Sequence, residues 1–178
     1  TATSGETTNT LAITGTAVEP ISGDSYEKIT ESQDNWSGVY IFTGIYNNTH
    51  YALTGVSSNL GTTASVTVID NQIESNTTTD AYQVTVAPTT NGYSLYMENV
   101  GYLSYSGSSN NLYASESFTE STCEWTLAYE NNLVTITNVG SNTRKLQFNY
   151  NSGNSRFACY TSNQTKLNLF KYTGTAVS

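Results

Sequence analysis

Two stretches of this chain match each other about 43 residues apart, and an internal repeat narrows the choice of fold more than any single motif does. Tyr82-Gln83-Val84-Thr85-Val86 answers Trp125-Thr126-Leu127-Ala128-Tyr129, and each stretch runs on to a turn pair, Asn91-Gly92 or Asn131-Asn132. Asn and Gly both tolerate the positive φ of a tight hairpin turn. Beyond the turns, Met97-Glu98-Asn99-Val100-Gly101 answers Ile136-Thr137-Asn138-Val139-Gly140. Leu103-Ser104-Tyr105 answers Leu146-Gln147-Phe148, and Tyr113-Ala114 answers Phe157-Ala158. A third opening of the same kind stands at Leu167-Asn168-Leu169-Phe170, and a more diverged first unit is expected from Tyr26 through His50-Tyr51-Ala52-Leu53 to Ile73. A unit this short cannot bury its own apolar face, so units must close on one another. Three units of about 43 residues, each with four short strands, make an all-β, β-trefoil-like fold; a β-sandwich built from two similar hairpin pairs is the alternative.

The local pattern agrees with an all-β chain. Short runs alternating in Val, Ile, Thr, Tyr and Phe, separated by Asn, Gly and Ser clusters, predict strands over 26–30, 39–46, 50–54, 64–70, 81–87, 93–99, 102–105, 111–115, 124–129, 132–138, 144–150, 156–161 and 167–172. Helical periodicity is absent throughout. At 178 residues the chain suits one core. Residues 1–22 are Thr-rich without sustained alternation and read as a linker or weakly attached N-terminal segment, which leaves 23–174 as a single β domain.

Charge and cysteine usage exclude several functions. The formal net charge of −8 argues against nucleic acid, whose binding rests on Lys and Arg releasing counterions. All 14 acids lie in 1–130 beside the lone base Lys28, whereas Arg144, Lys145, Arg156, Lys166 and Lys171 follow without an acid. In a closed β fold this asymmetry predicts salt bridges between the early and late parts of the chain, with an anion subsite near Arg144 and Arg156 as the sharper alternative. Two cysteines, Cys123 and Cys159, are too few for a disulfide scaffold, and they either bridge each other or stay as buried thiols. No apolar run approaches the ~18 residues that read as a bilayer span, so membrane insertion is not expected.

Catalytic chemistry finds no anchor. The sole histidine, His50, stands in a polar stretch beside Asn48 and Thr49, no Gly-x-Ser-x-Gly elbow occurs, and His50 reads as a surface residue. Asp24, Glu27, Glu31 and Asp34 precede or open the first strands, and Glu116, Glu120, Glu124 and Glu130 surround one long turn. No two carboxylates are singled out as a pair facing a cleft. The expectation is a chain with no catalytic residue and no metal site, and no cofactor beyond a calcium ion for which Asp34-Asn35 and Asp70-Asn71 supply oxygens without EF-hand spacing.

The informative excess is aromatic. Fourteen Tyr accompany 72 Thr, Ser and Asn residues. Tyr pairs a flat apolar ring with a polar tip, which suits a surface that stacks on a sugar face and hydrogen-bonds its hydroxyls. Candidate ligand-binding rings at loop and strand junctions are Trp36, Tyr46, Tyr51, Tyr105, Tyr150 and Tyr160, with Arg156 beside them. Trp36 leads, because an indole in the polar loop Asp34-Asn35-Trp36-Ser37-Gly38 has no evident core role. Strands also favour Tyr for packing alone, which is the competing explanation for every ring.

Gly101-Tyr102-Leu103-Ser104-Tyr105, Glu124-Trp125-Thr126-Leu127, Val134-Thr135-Ile136-Thr137-Asn138-Val139 and Arg156-Phe157-Ala158-Cys159-Tyr160-Thr161 carry a resemblance in wording, order and spacing. Over roughly 26–172 the chain resembles a β module appended to large secreted or cell-surface proteins of gut anaerobes, beside glycoside hydrolases, nucleases and dockerin or anchor segments. The resemblance implies an accessory module of an exported bacterial protein, working outside the cell next to other domains. It implies a polysaccharide as partner, starch-like α-glucan first. A structural or adhesive spacer that binds protein or no ligand is the rival reading.

Overall fold

A computed structural model describes residue 15 and residues 17–174, so most of the expected linker over 1–22 lies outside the described residues. The described part is all-β, as the alternating runs require. Its strands are β1 (Ser25–Lys28), β2 (Gly38–Tyr46), β3 (Thr49–Ser57), β4 (Leu60–Val66), β5 (Gln72–Glu74), β6 (Val84–Pro88), β7 (Tyr93–Met97), β8 (Gly101–Ser104), β9 (Tyr113–Ser115), β10 (Trp125–Glu130), β11 (Leu133–Asn138), β12 (Lys145–Asn151), β13 (Asn154–Tyr160) and β14 (Asn168–Tyr172). Two single-turn helices, α1 (Thr77–Asp80) and α2 (Glu120–Cys123), were not expected. Asn76 starts α1 by accepting from the Thr78 and Thr79 amides, a cap too local to leave a periodic trace in sequence.

Six strands pair in a ring. β14 lies against β2, β2 against β6, β6 against β7, β7 against β10 and β10 against β11. A bridge between Val134 of β11 and Leu167, just ahead of β14, completes the circle. Between successive ring strands the chain makes three hairpin excursions, β3–β4, β8–β9 and β12–β13. The excursions meet one another pairwise: Gly61 pairs with Phe157, the Leu112 amide donates to Asn59 O at 2.9 Å, and the Cys159 amide donates to Asn111 O at 2.9 Å.

The repeat lands on this ring in a regular way. The strands opening the matched stretches, β6, β10 and β14, occupy alternate ring positions, and β2, β7 and β11 fill the others. The first unit differs from expectation. Tyr26 and Ile73 pair with each other on β1 and β5 outside the ring, while β2, β3 and β4, joined by β14 from the end of the chain, supply the four strands.

Ring strands are buried on both sides where this outer layer covers them. In β2, Tyr40 and Phe42 face the main core, while Ile41 joins Tyr26, Ala52, Ile73 and Phe170 in a second cluster. The alternation is the two-residue period of a strand, apolar on each face. Trp125 is fully buried and its Nε1 donates to Leu103 O at 3.0 Å, so the indole fills volume without leaving a polar atom unpaired.

Five hairpins turn on residue pairs with positive φ: Asn47–Asn48, Ser58–Asn59, Asp70–Asn71, Asn131–Asn132 and Ser152–Gly153. Such turns match the right-handed twist of the flanking strands, and Asn tolerates them at low cost. Asn91–Gly92 does not belong to this set. Gly92 is needed for a close approach instead, since a Cβ there would stand 2.4 Å from Trp125 O.

Candidate functional site

Three of the expected rings come together. Tyr46 ends β2, Tyr51 lies on β3 and Tyr150 stands near the tip of β12. What lets β12 approach β2 is Gly44, where a Cβ would fall 2.1 Å from the Phe148 ring. Tyr46 lies flat on Tyr150, with centroids 3.8 Å apart and planes 9° from parallel. Tyr51 stacks on Phe148 at 5.6 Å and tilts against Tyr150 at 5.7 Å. Tyr46 is 40% exposed, so the cluster presents a ring to water beside the Asn47–Asn48 turn, while Ile45 alternates to the other face of β2. One face of each stacked ring is taken by its partner, which leaves the outer one as the available platform.

The other expected rings are not platforms. Trp36 is 4% exposed and belongs to the main core: its amide donates to the Tyr93 hydroxyl at 3.2 Å, and the Tyr40 hydroxyl donates to its carbonyl at 2.8 Å. The polar loop folds inward, steadied by the Ser37 amide donating to Asn35 Oδ1, and the indole goes with it. Tyr105 is 1% exposed, its hydroxyl donates to Ser109 O at 2.7 Å, and the Arg144 guanidinium sits 5.3 Å from its ring centre. Tyr160 is 7% exposed.

Arg156 lies elsewhere than the Tyr cluster. On β12–β13, Asn149 pairs with Arg156 and Asn151 with Asn154, while Phe148 and Tyr150 alternate to the opposite face. With Leu60, Asn110, Asn149, Asn151 and Tyr160, Arg156 lines a recess of about 230 Å³. Its Nε is buried without a hydrogen-bond partner. The two arginines differ sharply: Arg144 donates to Asn110 Oδ1 at 2.7 Å, to Cys159 O at 3.1 Å and to Ser108 O, and is a structural clamp.

Remaining polar groups take structural tasks. His50 is on β3 and half-buried, not a surface residue: Nδ1 bonds the Thr43 hydroxyl at 2.8 Å, the ring stands edge-on to Phe170, and burial, with Lys28 adding to it, lowers its pKa. Glu124 accepts from the Asn91 amide at 3.0 Å and from its Nδ2 at 3.2 Å, and that backbone N–H holds its carboxyl below the usual range. Cys123 and Cys159 are buried and unbridged, and burial pushes the Cys159 thiol up. Among the described residues Lys166–Glu130 is the one ion pair; it joins the acid-bearing stretch to the basic one as expected, but it stands alone rather than as one of several. Asn35 and Asp70–Asn71, named as oxygen donors for calcium, belong to turns, and no group of three or more His, Cys, Asp or Glu among the described residues is placed to hold a metal.

No family model and no curated protein sequence matches the chain. A solved structure does: a chain of the lysenin pore superposes with a TM-score of 0.52 at 10% sequence identity, over 82% of this chain. This chain spans about half (49%) of that one, and at such low identity the likeness is one of fold alone.

Proposed function

We propose that this chain is a non-catalytic carbohydrate-binding module with a β-trefoil architecture, working outside the cell as part of a larger exported bacterial protein. The six-membered strand ring with three hairpin excursions supports the trefoil reading. The observation that carries the binding reading is the Tyr46–Tyr150 stack, a partly exposed ring backed by a second ring and followed in the chain by the uncharged Asn47, Asn48 and Thr49. A backed ring is held in one orientation before ligand arrives, which lowers the entropic cost of stacking. Starch-like α-glucan is the first substrate to try. Covering about 100 Å² of a sugar face contributes roughly 2.5 kcal/mol, whereas micromolar affinity needs about 8 kcal/mol. One platform therefore gives weak binding that a polymer must reinforce through repeated contacts.

Electrophoresis through gels containing starch, xylan, β-glucan or mucin tests the proposal. Retardation by at least one polymer is expected, removed by Tyr46→Ala and by Tyr150→Ala. Migration unaffected by every polymer rejects it. A structural or adhesive spacer is the second reading, favoured by the burial of Trp36, Tyr105 and Tyr160, three of the six rings considered for binding.

A further inference from the structure

The outer face of β12–β13 holds a cation whose surroundings are built of donors. Hydrogen bonds fix which end of each neighbouring amide is committed. Asn110 Oδ1 accepts from Arg144, so its Nδ2 is left over. Asn151 Oδ1 accepts from the Ser152 hydroxyl, which likewise leaves Nδ2. Asn149 Nδ2 donates to Gln164 Oε1 at 2.6 Å, which leaves Oδ1 as an acceptor. The residues that line the recess with Arg156 thus have two uncommitted amide NH2 groups, on Asn110 and Asn151, and one uncommitted carbonyl oxygen, on Asn149, with Leu60 and Tyr160 completing the lining.

Arg156 forms no ion pair among the described residues, although the chain carries a formal net charge of −8. A planar guanidinium matches a carboxylate by two parallel hydrogen bonds, and the Nη groups of Arg156, which unlike Nε are not buried and make no hydrogen bond among the described residues, are the donors open to one. One cation and neutral amides suit a singly charged ligand that also carries hydroxyls. A polyanion would be repelled by the excess of acids. At about 230 Å³ the recess is smaller than the ~300 Å³ at which sites for drug-sized ligands begin, and so takes one ring.

We infer that this recess binds the carboxylate of an acidic sugar, a uronate residue of a glycan, with Arg156 holding the carboxylate and Asn110, Asn149 and Asn151 meeting ring hydroxyls. The site stands apart from the neutral-glycan reading, because Tyr150 and the Tyr46 ring stacked on it lie on the opposite side of the hairpin. Either site can fail alone.

The test is titration of the full ¹⁵N-labelled chain, followed by NMR, with sodium glucuronate, glucose and inorganic phosphate at matched ionic strength. Glucuronate is expected to shift the Arg156 Nε–H and the side-chain amides of Asn110 and Asn151 along a saturating curve, with no such curve for glucose or phosphate. Arg156→Gln should weaken glucuronate at least tenfold. Asn151→Asp should do the same by placing a carboxylate beside the guanidinium, and it changes an exposed residue, so the test survives if the arginine variant does not fold. Tyr46→Ala should leave the glucuronate curve unchanged. Absence of saturation, an equal response in Asn151→Asp, or phosphate matching glucuronate would overturn the assignment.

Discussion

Trp36 owes its position to one partner four residues on and one far along the chain. The Tyr93 hydroxyl accepts from its amide, the Tyr40 hydroxyl donates to its carbonyl, and the indole is almost wholly out of water. Truncation at such a site removes the transfer free energy and leaves a cavity. Trp36→Ala should therefore destabilise the protein by about 3–5 kcal/mol, read from the urea midpoint at unchanged slope, while retardation of the folded fraction on glycan gels stays as in the parent. Loss of glycan retention without loss of stability would return Trp36 to the surface role its loop suggested. Its burial was not legible in sequence, because a lone aromatic between Asn35 and Ser37 has no periodic neighbours to say which way it faces. Tyr46 and Tyr150 were legible as rings at strand ends, but not as rings that cover each other. The contrast between Arg144 and Arg156 was equally hidden: the loop ahead of β9 and the Cys159 carbonyl of β13 bring acceptors to Arg144, whereas Arg156 meets β12, β4 and that loop without a hydrogen bond to its buried Nε.

Turn chemistry sets where the strands begin and end. Asn131 and Asn132 take φ of 53° and 65° between β10 and β11, a conformation that costs an alanine roughly 1–2 kcal/mol. Asn131→Ala is accordingly expected to lower stability by about 1 kcal/mol, and Asn131→Gly to stay within a few tenths of the parent. Equal stability of the alanine and glycine variants in denaturant titrations would contradict the positive-φ account of this hairpin. The same chemistry explains what sequence could and could not show. Most strands were visible, because alternation and an Asn pair mark both body and end. β4 was expected over 64–70 but spans Leu60–Val66, since the Ser58–Asn59 turn lacks the Asn-Asn or Asn-Gly wording and Thr62, Thr63 and Ala64 alternate weakly. The short β5, α1 and α2 leave no periodic signal, being set by caps and by neighbours such as β1.

The ring is a property of the chain as a whole, and the repeat made only part of it visible. Matches between β6 and β10 and onward to β14 could be read because the same positions face the same core three times. The first unit could not be framed, because β2 must also satisfy the outer cluster of Tyr26, Ile41, Ile73 and Phe170, and its sequence follows two interiors at once. β14 bears both demands too: Leu169 faces the main core, Phe170 the outer cluster, and the strand pairs with β2 and β1. Without it the circle opens between β11 and β2, β1 loses its partner as well, and three strands gain bare edges. A chain ending at Lys166 should consequently lose the near-ultraviolet circular dichroism of its packed aromatics and its cooperative urea transition. Leu169→Ala, which keeps the pairing and removes only buried volume, should retain both at a cost of about 2–5 kcal/mol. A cooperative transition in the shortened chain would mean that the ring is not the unit that folds, and that the three excursions hold the remaining strands together through their mutual contacts at Gly61, Asn59 and Asn111.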